Sequence, residues 1–349
     1  MINTKMKLPI KISNIECVTE CWTFNRMIIL NQSPYYKDWI ASHYNLYVDR
    51  GEFHFEQMVC TPALYDSILQ RKQIRYFELT EAEIINRFKL ELNKGYYLNV
   101  MTKPFIEKDW YHEVVLYGYD DIEQIFYAVG FDGYGFKEMQ YSYQFMIDML
   151  KEVKSFLKVE KRQRGMRLAE LFQYPISAFK LREDYNPQGC VFGAFHKIKM
   201  ELNGKCCGVG KRSLDEWTYT GISSLKALED LLDEMIEERM VSRTQKVESV
   251  LKILCEHRRM MLISMEYVQD KWRKALKKEF FDNVVEYRRS CETVEKWLNM
   301  IIKYKLNNCK DILREIHDEI SGIYQLEYRC LDNIVKRCID WDKFNEYYI

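Results

Sequence analysis

The sequence predicts an α+β chain in which a mixed N-terminal lobe, a helix plus an antiparallel sheet, precedes a long C-terminal helical bundle. Three observations carry this expectation. Two apolar runs rich in Val, Tyr, Phe and Ile, Glu113–Tyr117 and Ile125–Phe131, flank a turn signal at Gly118 and Asp120-Asp121, the pattern of an antiparallel hairpin. Upstream, Ile15, Val18, Trp22, Ile28 and Ile29 fall near one side at helical spacing. Beyond Gly221 there is no proline and one glycine, Gly322, over about 125 residues of heptad-like apolar spacing, which predicts three or four long helices packed together.

In chain order, Met6–Ile12 is expected to be extended. Ser13 or Asn14 can cap the helix that follows, and Ser13 with Glu16 has capping-box spacing. Pro34 forbids helix at Ser33 and Asn31 suits a left-handed stop, so the helix is expected over residues 14–31. An aromatic, turn-rich stretch runs to Thr61. A helical pattern near Thr80–Leu92 ends at Asn93-Lys94-Gly95, and the strand Tyr96–Met101 leads to the hairpin. Residues 1–150 are therefore expected to form an α+β lobe, 151–221 a mixed α/β connecting region that opens with the basic stretch Lys151–Arg167, and 222–349 the bundle.

Composition narrows the function. Among 349 residues, Lys+Arg and Asp+Glu are both 52, so no global basic field draws nucleic acid. The opening MINTKMKLPIKIS has no signal-peptide apolar core, and no run of about 18 apolar residues suggests a membrane span, which points to a cytoplasmic protein. Eleven scattered cysteines, with Cys206-Cys207 the one adjacent pair, are expected to be reduced thiols; their spacing resembles no zinc ligand set, so no metal is expected.

The hairpin carries the chemistry. With its centre near residue 122, facing residues sum to about 244, which sets His112 opposite Asp132. A carboxylate there can accept from one imidazole N–H, fix the tautomer and leave the other nitrogen as a general base. The candidate nucleophiles are Cys17, in the first turn of the expected helix where the dipole favours a thiolate, and Cys21 one turn deeper. Each of these residues also has an ordinary structural reading. A cysteine on an apolar helix face is usually a buried hydrophobe, His112 could be a satisfied strand histidine, and Asp132 could start a turn. His43, His54, His196, His257 and His317 show no partner pattern. Trp22, Trp39, Tyr44 and Trp110 flank the site in sequence and could line an aromatic pocket. The basic stretch is either a solvated helix face or a docking surface for an acidic protein.

The motifs ECVTEC (16–21), HEVVLYGYDD (112–121) and the aspartate after the next strand resemble the papain-fold cysteine peptidases. They are closer to the double-glycine-leader type, where D-C-x-x-x-C opens the helix, with Glu16 here in place of the aspartate. The lobe followed by a helical tail is similar to the butirosin biosynthesis protein H-like family of nonribosomal peptide-type pathways. That resemblance implies a papain-like lobe with a Cys17–His112–Asp132 triad. It also implies amide synthesis, an acyl group passing from the phosphopantetheine thioester of an acyl or peptidyl carrier protein to a small amine, with no bound cofactor. Lys158, Lys161, Arg162, Arg164 and Arg167 would then dock the carrier. A cytoplasmic cysteine peptidase or amidase is the first alternative, and an inactive scaffold the second. Two departures stand out. Papain-like enzymes place an oxyanion-binding Gln about six residues before the nucleophile, where this chain has Lys11 for Cys17 or Ile15 for Cys21, leaving the backbone N–H and Asn14 as candidates. And CWTF (21–24) echoes papain's C-x-x-C-W-x-F, in which the later Cys reacts; the distance from Cys17 to Asn31 instead matches the leader-peptidase helix and favours Cys17.

Overall fold

The computed structural model describes residues 4–19, 21–49, 52–55, 63–76, 78–102, 112–132, 135–163, 176–204, 219–237 and 244–348. The chain divides into two compact units, each made of two segments: Met1–Tyr36 with Pro62–Tyr185, and Lys37–Thr61 with Asn186–Ile349. This division differs from the expected 1–150, 151–221 and 222–349. Part of the expected connecting region, Ile176–Leu181, is a strand inside the first unit's sheet, and Lys37–Thr61 belongs with the bundle.

The first unit is an open antiparallel sheet. Its strands are β1 (Lys5–Lys7), β4 (Leu69–Gln73), β5 (Tyr97–Thr102), β6 (His112–Asp120), β7 (Ile125–Phe131), β8 (Phe136–Ser142) and β9 (Ile176–Leu181), in the order β4-β9-β5-β6-β7-β8, with β1 on β6 beyond the end of β5. Against it lie α1 (Cys21–Leu30), α3 (Glu81–Asn93) and α4 (Tyr143–Gln163). Leu98, Val100, Val114, Leu116, Phe126 and Ala128 of the sheet join Ile84 and Phe88 of α3 and Met146, Ile147 and Leu150 of α4 in one core. Thr80 caps α3 in a complete capping box with Glu83, whose carboxylate hydrogen bonds to Thr80 hold it below the usual range.

The hairpin keeps the expected register at its open end, Val115 facing Val129 and Leu116 facing Ala128. A bulge at Tyr117 then shifts it by one, to Gly118–Tyr127 and Asp120–Ile125. The turn is later than Gly118 suggested: Asp120 Oδ1 accepts from Ile122 N and Glu123 N, and Gln124 takes a left-handed φ of 55°.

The N-terminal helix departs from expectation. It starts at Cys21 rather than residue 14. Asn14 is left-handed at φ 58°, and the Asn31 side chain donates to Lys11 O at 3.5 Å and Ser13 O at 3.3 Å, holding residues 11–13 off the helical path. Glu16 accepts the Tyr36 hydroxyl instead of closing a capping box. At the other end Asn31 N still bonds Met27 O at 2.8 Å, so α1 closes by helical turns, without Asn31 as the left-handed stop.

The second unit holds α2 (Tyr36–Ala41) except for its first residue, a small sheet of β10 (Tyr219–Thr220), β2 (Leu46–Asp49) and β3 (Glu52–Phe55), and the bundle. The bundle comprises α5 (Cys190–Asn203), α6 (Ser224–Ile236), three helices of 28, 30 and 28 residues, α7 (Thr244–Lys271), α8 (Lys278–Asn307) and α9 (Lys310–Arg337), and α10 (Trp341–Tyr348). Ile198, Met261, Met265, Trp272, Phe280, Val284, Leu331 and Ile334 form its apolar seam. No helix among the described residues is long and apolar enough to cross a membrane.

Candidate active site

Residues 23–30 of α1 are all buried, so over these residues the helix runs through the unit's interior. Its sequence is nonetheless not all apolar, and buried polar groups need partners. Asn25 Nδ2 donates to Asn99 Oδ1 on β5 at 3.0 Å. Arg26 Nη1 donates to Glu113 Oε2 on β6 at 2.7 Å, with both side chains under a tenth exposed, and its guanidinium lies over Phe179 of β9, 5.1 Å from the ring centroid. Phe24 stacks on Phe136 of β8 at 3.8 Å between centroids.

His112 opens β6, opposite Thr102 of β5, whose hydroxyl donates to its carbonyl at 3.3 Å. Its ring is 8% exposed and lies 5.7 Å from Phe131 and 6.2 Å from Phe136, so Phe136 bridges His112 and α1. Nδ1 sits 3.1 Å from Glu113 O. A carbonyl only accepts, so this contact requires the proton on Nδ1 and leaves the Nε2 lone pair as the basic site. Burial lowers the imidazole pKa, against a smaller upward pull from Glu113, and the ring is neutral at pH 7.

Asp132 follows β7. The paired register runs outward as far as Val115–Val129, and Val114 Cγ1 lies 2.7 Å from where a Cβ on Gly130 would sit. The Asp132 carboxylate accepts from Gly135 N at 3.0 Å and pairs with Lys137 at 2.5 Å, and its backbone N–H donates to Gly135 O, so it also builds the turn into β8.

The thiols separate. Cys17 is fully buried in the irregular segment before α1, next to the Glu16 carboxylate that holds the Tyr36 hydroxyl, whose own pKa is pushed up by burial and that carboxylate. The helix-start argument for Cys17 therefore does not hold: the first residue of α1 is Cys21, three positions before Phe24. Asn14 is exposed.

Trp39 and Tyr44 are fully buried in the second unit, where Trp39 stacks on His43 at 4.2 Å and meets Tyr44 edge-on. Trp110, Arg164 and Arg167 lie outside the described residues; Trp22 is placed in α1, and Lys158, Lys161 and Arg162 in α4, by backbone alone. The described His, Cys, Asp and Glu form no cluster of three or more able to hold a metal ion. Sequence reasoning missed Asn25, Arg26, Asn99 and Glu113. Their signal was present: Asn-Arg inside the apolar WTFNRMIIL, and a glutamate in the apolar strand that His112 opens. No protein-family model matches the chain, and no curated protein matches it in sequence.

Proposed function

We propose that the first unit performs thiol-dependent acyl transfer from a thioester to an amine, on a papain-like arrangement of a helix-borne cysteine and a strand-borne histidine. The observation that supports this best is His112: a buried, neutral imidazole held on Nδ1 by a carbonyl, with Nε2 left basic, beside the aromatic pair that carries the start of α1. The helix start favours Cys21 as the nucleophile, because the unpaired N–H groups and dipole of a first turn stabilise a thiolate.

In this reading His112 Nε2 takes the thiol proton and the sulfur attacks the thioester carbonyl. Collapse of the tetrahedral adduct expels the donor thiolate, which leaves with that proton. The amine then attacks the acyl-enzyme, gives up its proton to His112 and releases the amide while the cysteine is regenerated. The thioester itself supplies the driving force, so no nucleotide is consumed. Asp132 is proposed to steady His112 across the hairpin, and the basic stretch with Lys158, Lys161, Arg162, Arg164 and Arg167 to receive an acidic carrier protein. The burial of His112 among aromatic rings favours, as the second reading, a fold of this kind without catalysis.

Intact mass after incubation with a carrier protein loaded with an acyl-phosphopantetheine thioester tests the reading. The expected result is an increase equal to the acyl group, mapped to Cys21, that disappears with amide formation when an amine is added. Loss of the adduct to water at the same rate with and without amine would mean a hydrolase, and no adduct at all an inactive fold.

A further inference from the structure

Residue 113 makes two contacts of different kinds. Its backbone carbonyl faces Nδ1 of His112, and its side chain reaches α1 through Arg26. Both partners of this ion pair are buried, and Arg26 is further fixed over Phe179. A second buried contact, Asn25 to Asn99, runs beside it from the same helix to β5.

We infer that the Arg26–Glu113 pair is a positioning device that sets the first turn of α1 against His112, so that the reactivity of the thiol depends on a pair that touches neither thiol nor substrate. This rests on the acyl-transfer reading above. The physical argument is one of rigidity. A helix packed through apolar contacts alone can slide and rotate over a sheet at small cost, whereas a bidentate-capable guanidinium paired with a buried carboxylate accepts few geometries. Anchoring that carboxylate one residue from the base ties the helix to the imidazole through a single peptide unit. Fixing reacting groups matters steeply, since a displacement of about 1 Å costs on the order of a hundredfold in rate.

Single substitutions would leave a buried charge without its counter-ion and could unfold the unit, so the test replaces the pair together, Arg26→Met with Glu113→Met, which for buried ion pairs is often neutral for stability. The full chain is treated with a small acyl thioester, S-acetyl-N-acetylcysteamine, and separately with iodoacetamide across pH 5–10. Modification of Cys21 is followed by peptide mass spectrometry. In the wild type the expected alkylation profile shows an inflection well below that of an ordinary thiol, together with acyl adduct. In the folded double variant the inflection should move up toward an ordinary thiol and acylation should fall on the order of a hundredfold. A purely structural pair would change melting temperature without moving the inflection. A wild-type profile and rate in the folded double variant overturn the positioning role while leaving the acyl-transfer reading intact. If the wild type itself forms no adduct and titrates as an ordinary thiol, the acyl-transfer reading falls, and the positioning role with it.

Discussion

Two cysteines four positions apart in ECVTEC sit in different physical settings. Cys17 is a fully buried side chain in the irregular segment before α1, away from any helix start. Cys17→Ala should therefore keep adduct formation and lower stability by about 1 kcal/mol from lost packing, seen as a lower Tm. Cys21→Ala should keep Tm and abolish the adduct. The reverse pattern in a paired mass and melting measurement would return the nucleophile to Cys17. A second residue-scale case lies in the bundle. Glu201 of α5 is buried, its Oε2 3.4 Å from His257 Nε2 and its Oε1 without a hydrogen-bond partner among the described residues. Desolvation, aided by Glu327 and opposed by Arg258 and Lys197, pushes its carboxyl up to about 7, while the same burial drives His257 well down. Tyr287 of α8 lies in the same group, its hydroxyl pushed well up by burial and by Glu327. For Glu201 the folded state holds its proton more tightly, so its stabilisation is full below about pH 4.5 and lost as pH rises through about 7, a difference on the order of 3 kcal/mol. His257 has the opposite sign, its contribution lost as pH falls below its ordinary value. Glu201→Gln should thus gain on the wild type from pH 5 to about 7 and level off above that, read as the difference between the two Tm curves. A flat difference would show that Glu201 does not titrate there.

At the scale of the element, the hairpin is the part of the site that local patterning specified. Its inner register depends on Gly130, where any side chain meets Val114, so Gly130→Ala should destabilise the first unit by about 1–3 kcal/mol in denaturant unfolding. Adding Val114→Ala should recover part of that loss; no recovery would mean the strain arises elsewhere. The strand pair, the helix after Thr80 and the long bundle helices were legible because their signals are local: β-rich runs around a turn, and 3.6-residue periodicity unbroken by proline. The start of α1 was not legible, because its decisive contacts are distant in sequence. Asn31 reaches back to Lys11 and Ser13, and Tyr36 takes the glutamate that Ser13 would have used. For the same reason β9 was missed: Ile176–Leu181 is a strand only because β4 and β5 flank it on both sides.

Across the whole molecule each unit carries a buried arginine–glutamate pair. The first joins its central helix to the sheet through the Arg26–Glu113 pair. In the second, Arg258 of α7 makes a bidentate pair with Glu327 of α9 at 3.0 and 2.9 Å, and Ser290 of α8 donates to the same carboxylate, so one buried carboxylate ties three helices together. Arg258→Met alone should cost about 3–5 kcal/mol by stranding Glu327, and Arg258→Met with Glu327→Met should restore most of it. Chemical denaturation followed by tryptophan fluorescence checks both. Additive losses in the double variant would show that the two residues do not act as a pair.

The interleaved segments that compose the two units also bear on how the chain is made. During synthesis every residue of the first unit has been translated once Tyr185 is added, yet Lys37–Thr61, already made, has its partners downstream. β2 must wait for Tyr219 and Thr220 to gain its second neighbour, and the buried side chains Trp39, Tyr44, Leu46, Val48 and Phe53 wait for the bundle. At ordinary ribosomal speeds of about 5–20 residues per second, that apolar stretch stays uncovered for roughly 10–30 s. A nascent chain stalled at Tyr185 should therefore carry a folded sheet with a protease-sensitive, chaperone-binding loop, and the same loop should become resistant when translation runs on through the helices.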